Sequence, residues 1–379
     1  MRTIYLDNAA TTKVDEKVLR EMIPYFNEKY GNASSKHFLG MEAKRALEES
    51  RAVIAKSIGA HIDEIFFTSS GTEANNFSLK GLFFANPGKN HIITSKIEHD
   101  CILNTCKWLE KQGVKITYLD VDSEGFIDFE QLKKAITSKT LVVSIIHGNN
   151  EIGTIQDLTE IGNICKAKGV YFHTDACQSF TKTELNVKKQ NLDLVTLNAH
   201  KIHGPKGVGA IFIRRGTKIE PLFHGGGHEQ GMRSGTENVS GIVGFATAVK
   251  VASSRNVEYM NRLRDKLISG ILKIPNVKLN GPNGNKRLCN NTNFSFNDIE
   301  GEALGGYLEA YGICTSTGSA CASHSLAKSH VLKAIGLNDM QINSSLRLSI
   351  SKFTTEEEID YVLQIMPKVV DKLRRMSVF

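Results

Sequence analysis

Seven short runs rich in β-branched and aromatic residues recur between residues 64 and 215, and they constrain the fold more than any other feature of the chain. They are EIFFT (64–68), NHIITS (90–95), VKITYLDV (114–121), TLVVSIIH (140–147), VYFHTD (170–175), LDLVTLN (192–198) and VGAIFIRR (208–215). Amphipathic stretches such as LTEIGNICKAKG (158–169) lie between several of them. A strand buried on both faces reads as a near-continuous apolar run, and a helical crossover is what returns the chain to start the next parallel strand. The rhythm therefore predicts an α/β fold, a largely parallel sheet covered by helices on both faces. Upstream, Ala43, Leu47, Ile54 and Ile58 share one helical face, and Gly59 is placed to end that helix. Toward the C-terminus the pattern changes to a long helical stretch over roughly 239–273, followed by strands near 276–280, 292–297 and 346–351 separated by helices. That predicts a second, smaller α+β domain.

With 379 residues, 41% of them hydrophobic, the chain can bury a substantial core in one large domain and a smaller one. The net charge of +7 is spread along the chain rather than gathered into basic runs, which gives a nucleic-acid reading little support. No apolar run is long enough to span a bilayer, and the opening MRTIYLDNAATT has no apolar core of a signal peptide, so a cytoplasmic location is expected. The seven cysteines, at 101, 106, 165, 177, 289, 314 and 321, form no CxxC pair, and their odd number argues against a full disulfide set. Cys101, Cys106 and His99 come nearest to a metal-binding group, but the spacing is poor for a structural zinc site, so no resident metal is expected.

In open α/β sheets the functional site lies beyond the carboxyl ends of the strands. After EIFFT comes Ser69-Ser70-Gly71-Thr72-Glu73, a small-residue turn that reads either as an ordinary helix N-cap or as an anion seat with a threonine hydroxyl to add. After NHIITS come Glu98 and His99; after Ile146 come His147, Asn149, Asn150 and Glu151; after VYFHT come Asp175 and Gln178; after LDLVTLN come His200 and Lys201. A single histidine or aspartate in such a place is more often a packed side chain or a cap. Five successive strand ends carrying polar and titratable groups favour a site.

The set matches the needs of pyridoxal phosphate: a lysine to condense with the aldehyde, a carboxylate to keep the ring nitrogen protonated, and a seat for the phosphate. No G-x-G-x-x-G follows the first strands, which disfavours NAD, and no Walker-type loop is present.

The segments YLDNAATT (5–12), GNASSKHFLG (31–40), TSSGTEANN (68–76), EHD (98–100), HGNNEIGTIQ (147–156), HTDACQS (173–179), NAHKIHGPKGVGA (198–210), HGGGHEQGMRSGT (224–236), STGSACAS (316–323) and LRLSISKFTTEEEID (346–360) run in order through almost the whole chain. Together they resemble the NifS/IscS-type cysteine desulfurases of the class V aminotransferase group, which are fold-type-I pyridoxal-phosphate enzymes. The resemblance implies a large domain over 15–250 with a mostly parallel seven-stranded sheet flanked by helices. It also implies a small α+β domain from 1–14 and 251–379 that carries a mobile cysteine loop at about 314–330.

Carried over residue by residue, the resemblance makes Lys201 the cofactor lysine, Asp175 the partner of the ring nitrogen, and His99 the group that stacks on the ring and moves protons. Gln178 and Asn150 contact the ring, and Gly71, Thr72, His200 and Thr236 hold the phosphate, Thr236 reaching in from a neighbouring subunit. Asn32, Arg347 and Asn150 meet the substrate, with the planar guanidinium suited to a carboxylate. The implied substrate is L-cysteine, the implied products are L-alanine and a persulfide on Cys321, and the implied partners are a second subunit and an iron–sulfur scaffold or other sulfur acceptor.

Taken alone, Cys321 reads as an ordinary loop cysteine among small residues. The resemblance gives it the attack on the substrate sulfur, for which a thiolate on a freely moving segment is suited, and through it a transient contact with a cluster. The long form of the segment before SHVL (329–332) is similar to the group that donates to iron–sulfur scaffolds. Ala33 stands where many relatives carry proline, Asn198 where many carry a phosphate-binding serine, and SLAKSHVL lacks the usual acidic-proline step. A selenocysteine lyase shares nearly all these features, and a transaminase of the same fold shares Lys201 and Asp175 but has no need of Cys321.

Overall fold

Residues 3–317 and 328–376 are described by the computed structural model. Twelve strands occur among them: β1 (Ile4–Tyr5), β2 (Ile65–Thr68), β3 (His91–Ser95), β4 (Lys115–Leu119), β5 (Thr140–Ser144), β6 (Tyr171–Asp175), β7 (Leu194–Asn198), β8 (Gly209–Ile213), β9 (Val277–Leu279), β10 (Asn291–Phe296), β11 (Ile313–Cys314) and β12 (Ser345–Ser349).

Strands β2 to β8 form one seven-stranded sheet in the order β2-β8-β7-β6-β5-β3-β4. From β7 to β4 every pairing is parallel, and β8 inserts antiparallel between β7 and β2. The α/β class and the mostly parallel seven-stranded sheet expected from the sequence are both present. Every residue of β2, β3, β5, β7 and β8 is buried, which explains why these strands read as apolar runs without alternation. The two-residue period shows instead in where the side chains go. Ile93, Val143, Phe172 and Val195 face a core with Leu47, Ile54 and Phe245, while Ile92, Val142 and Leu194 face the opposite core with Phe77, Ile102 and Leu109.

Helix Phe38–Ser57 buries Ala43, Leu47 and Ile54 as expected; Ile58 caps it, and Gly59, at φ 71°, takes the left-handed turn that stops it. The stretch expected as one helix over 239–273 is two, Val239–Val251 and Ser254–Ile271. Ala252 is extended, and the Ser253 hydroxyl accepts from the Asn256 N–H, so a new N-cap breaks the apolar period.

The three later strands form an antiparallel sheet, β12-β10-β9. Phe294, Phe296, Leu346 and Leu348 of this sheet pack with Leu267, Ile359, Val362, Met366 and Val370 of two helices, and with Ile4 and Leu6 from the chain's beginning. Strand β1 pairs in parallel with β11, a contact the sequence pattern did not suggest. The following segment crosses to the large sheet: Asn8 N–H donates to Ser349, Thr12 N–H to the His200 carbonyl, and Gln178 Nε2 to the Ala9 carbonyl. Residues 8–12 therefore lie between the two sheets. Among the described residues no helix is long and apolar enough to cross a membrane.

Candidate active site

The carboxyl ends of β2, β3, β5, β6 and β7 converge on one cavity of about 270 Å³. Gly71 and Thr72 line it from beyond β2, His99 from beyond β3, Asn150 from beyond β5, Asp175 and Gln178 from β6, and His200 and Lys201 from beyond β7. Ala9 and Ala10 from the crossing segment and Arg347 from β12 complete the wall. Nine of the twelve residues to which the resemblance gave a role thus meet in one place.

Lys201 donates its amine to the carbonyls of Ala9 and Ala10, the latter at 2.6 Å. Burial, with the Arg347 charge as a second cause, pushes this amine down to about 8. Asp175 is buried; its Oδ1 accepts the Cys177 N–H at 2.9 Å and its Oδ2 accepts from Asn75 Nδ2 at 2.7 Å. His200 holds Thr11 Oγ1 at 3.2 Å, and burial pushes the imidazole down to about 4, so it is neutral at physiological pH.

The Ser69–Glu73 turn is a helix N-cap and also reaches the cavity. Ser70 caps the Gly71–Asn76 helix by accepting the Glu73 N–H at 3.1 Å, and Thr72 lines the cavity. Gly71 is there for want of room: a Cβ would lie 2.5 Å from Cys177 Sγ. Arg347 donates from Nη1 to the Asn150 carbonyl at 3.1 Å and pairs through Nη2 with Asp7 at 2.8 Å.

Two carboxyls in the wall, Glu98 and Glu151, were noted from the sequence as strand-end residues and given no role. Glu98 accepts from Ser95 Oγ at 2.5 Å and from the Ile146 N–H at 2.9 Å, and complete burial pushes it up to about 8. It is a neutral acid at pH 7, because an unpaired charge at that depth is too costly. Glu151 is raised for the same reason and accepts from Ser329 Oγ at 2.6 Å. Ala9, Ala10 and Asn75 were missed altogether; Cys101 was weighed only as a weak metal ligand, and Cys177 was only counted among the cysteines. Backbone carbonyls carry no sequence signal, and Asn75 hides inside the TSSGTEANN segment as one more helical residue.

Other expected residues lie elsewhere. His147 is buried and its imidazole is pushed down to about 3 by burial, outside the cavity wall, while Asn149 holds a turn by accepting the Glu151 and Ile152 N–H groups. Asn32 is exposed, its Oδ1 accepting from the Ser34 N–H, and Thr236 is exposed beside Arg233 and Gly235; neither lines this cavity. Cys321 lies outside the described residues. The flanking residues do approach the cavity: Ser316 bridges to Arg347, and His330 Nε2 donates to the Glu98 carbonyl at 2.8 Å. Among the described residues no group of three or more metal-ligating side chains is placed to hold an ion.

Residues 4–362 match the family model for class-V aminotransferases, and the chain belongs to that family. It is 50% identical to the cysteine desulfurase IscS of Clostridium botulinum over 99% of this chain and 96% of that protein. The cysteine desulfurase IscS of Methanosarcina thermophila is 49% identical over 99% of this chain and 94% of its own length. Among solved structures, a NifS-like protein superposes with a TM-score of 0.92 at 40% identity, covering 98% of this chain and all of the other. A structure of SspA in complex with cysteine superposes at 0.84 with 37% identity, covering 93% of this chain and all of the other.

Proposed function

We propose that this protein is a pyridoxal-phosphate-dependent cysteine desulfurase that removes sulfur from L-cysteine, leaves L-alanine, and passes the sulfur through Cys321 to an acceptor protein for iron–sulfur cluster assembly. The observation that carries the reading is the meeting of Lys201 and Asp175 in one cavity with a histidine, His99, and a guanidinium, Arg347. Relatives at half identity over the full chain that are cysteine desulfurases give the reaction its class.

The residues fit the cofactor. Lys201 offers an amine whose acidity is already raised, Asp175 a buried carboxyl group, and Gly71 and Thr72 a tight turn in which position 71 has no room for a Cβ. Asn198, buried in the same wall where relatives carry serine, has an amide N–H2 that could donate to the phosphate. When bound, pyridoxal phosphate supplies a ring that draws electrons from the α-carbon of an amino acid. Lys201 would hold its aldehyde, Asp175 would face its ring nitrogen, Gln178 and Asn150 would contact the ring, and Gly71, Thr72 and His200 would seat its phosphate. His99, in the same wall, would lie against the ring and is the group that could carry a proton. Arg347, fixed by Asp7, orients the substrate carboxylate, a bidentate task for which guanidinium geometry is suited.

The Cys321 thiolate then attacks the sulfur of the bound cysteine. An S–S bond forms, the carbon–sulfur bond breaks, and its electron pair passes to the carbon skeleton, which takes up a proton and leaves as alanine. Thr317, the last described residue before the cysteine, follows a bridge from Ser316 to Arg347 in the cavity wall.

Thr236 of a second subunit completes the phosphate seat in this reading, so the working form is a homodimer. Arg51 pairs with Glu229 at 2.6 Å, both buried, and Arg233 pairs with Glu73 at 2.9 Å. These two anchors hold the 224–236 segment with Thr236 facing outward. In this reading residues 15–250 form the cofactor domain, and residues 1–14 and 251–379 the small domain that brings Arg347.

The test is a sulfide and alanine assay with cysteine on wild type, Lys201→Ala and Cys321→Ala. Only wild type turns over; Cys321→Ala still binds cofactor and changes its visible spectrum when cysteine is added. Full sulfide and alanine production in Cys321→Ala would overturn the role of Cys321 as sulfur carrier, and loss of cysteine without sulfide or alanine in wild type would favour a transaminase.

A further inference from the structure

We infer that Asn75 is a positioning residue that ties the carboxylate of Asp175 to the imidazole of His99 through the thiol of Cys101. The inference rests on the cofactor reading above, which gives Asp175 and His99 their tasks. Asn75 lies near the end of the Gly71–Asn76 helix and is 1% exposed. Its Nδ2 donates to Asp175 Oδ2 at 2.7 Å and to Cys101 Sγ at 3.1 Å. An amide nitrogen has two N–H groups, and both are used, one on each partner. The opposite amide orientation would set the Asn75 oxygen against a carboxylate, so the donors must face Asp175.

Cys101 is the second residue of the Asp100–Glu110 helix, for which His99 is the N-cap. Its Sγ lies 3.0 Å from His99 Nδ1, and its backbone N–H donates to the same nitrogen at 3.2 Å. A ring nitrogen that accepts a backbone N–H carries no proton, so the thiol S–H also points to it and the sulfur lone pairs are left for Asn75. The donations run one way, from Asn75 to Asp175, from Asn75 to Cys101, and from Cys101 to His99. They place the ring proton of His99 on Nε2.

Three strand ends are joined by this chain, those of β2, β3 and β6. His99 and Asp175 then hold their separation through one buried amide. Its Oδ1 has no partner among the described residues, which is an unfavourable burial that packing alone does not require. Side chains that orient first-contact residues in this manner typically cost 10–100-fold when removed from metal sites, and a similar scale is expected here.

The experiment uses protein with ¹⁵N-labelled histidine, with and without pyridoxal phosphate, and Asn75→Ala, Asn75→Asp, Cys101→Ala and Cys101→Ser. The His99 ring resonances are identified by their loss in His99→Gln. Asn75→Ala should shift those resonances, weaken pyridoxal-phosphate binding by about tenfold or more, and lower kcat for alanine formation more than it raises KM. Asn75→Asp, which sets a second carboxylate against Asp175, should weaken cofactor binding further. Cys101→Ala should shift the His99 resonances and leave cofactor affinity within about twofold, and Cys101→Ser, which keeps a donor, should restore them. Unchanged His99 resonances together with unchanged cofactor affinity in Asn75→Ala would overturn the inference. If Asn75→Ala does not fold, Cys101→Ala decides, because identical His99 resonances in it and in wild type would break the proposed link. The resonances are read without cofactor too, so a wild type that takes up no pyridoxal phosphate sinks the cofactor reading and leaves this test standing.

Discussion

Arg347 and Asp7, 340 positions apart, form an ion pair of 2.8 Å that joins β12 to the segment whose carbonyls hold the Lys201 amine. The guanidinium is almost fully buried and lines the cavity. One acidic residue near the beginning of the chain therefore sets the angle of the group proposed to hold the substrate carboxylate. Lysine at 347 keeps the charge and loses the fork, so Arg347→Lys should raise KM for cysteine about 10- to 100-fold. Asp7→Asn keeps a hydrogen-bond acceptor but removes the charge; a several-fold rise in KM with kcat little changed is expected from steady-state kinetics.

The close approach of Gly71 to Cys177 gives a prediction with a built-in rescue. Gly71→Ala puts a methyl 2.5 Å from Cys177 Sγ, closer than real Cβ contacts come, and overpacking of this kind costs about 1–3 kcal/mol. Cofactor affinity should fall about tenfold. Cys177→Ala removes the obstructing sulfur, so the double variant should recover most of the loss in a fluorescence titration with pyridoxal phosphate. No recovery would mean that the turn is strained by something other than that contact.

Burial lowers Lys201 from its ordinary 10.5 to about 8, with the Arg347 charge contributing. Only the neutral amine attacks an aldehyde. Capture of pyridoxal phosphate by the cofactor-free protein should accelerate about tenfold per pH unit below 8 and level off above it. Arg347→Met removes a positive neighbour and should move that plateau to higher pH. A stopped-flow absorbance series would show it; a wild-type plateau near 10.5 would contradict the buried environment.

Glu98 gives the opposite sign in stability. Its carboxyl is raised from 4.5 to about 8 in the folded chain, so between these values the folded protein holds a proton that the unfolded chain has released. This group therefore costs stability progressively as pH rises from about 4.5 to 8. Glu98→Gln mimics the neutral acid and is free of the effect. In urea titrations the variant should gain on wild type over that range, by up to a few kcal/mol. A difference that does not change with pH would show Glu98 ionised in the folded state.

The strands were legible because most are buried on both faces, which leaves a run of Ile, Val, Leu and Phe that needs no partner to be recognised. The break at Ala252–Ser253 was not, since apolar residues continue at helical spacing through it and only the Ser253 cap interrupts the pattern. Lys201, Asp175 and His99 stood out as titratable groups at strand ends. Cys101 and Asn75 did not, because each looks like an ordinary helix residue until the helices that carry them are placed side by side.

What the sequence determined by itself is local: which stretches are apolar on both sides, where helices are capped, and which strand ends carry ionisable groups, all of which depend on residues within a few positions of one another. The tertiary structure decided the rest. Only the crossing of residues 8–12 between the two sheets brings two carbonyls to the Lys201 amine, and only the return of β12 past Asp7 fixes Arg347 in the cavity wall. Burial then sets the proton occupancy of Lys201, His200 and Glu98, and burial depends on how the whole chain packs around each group.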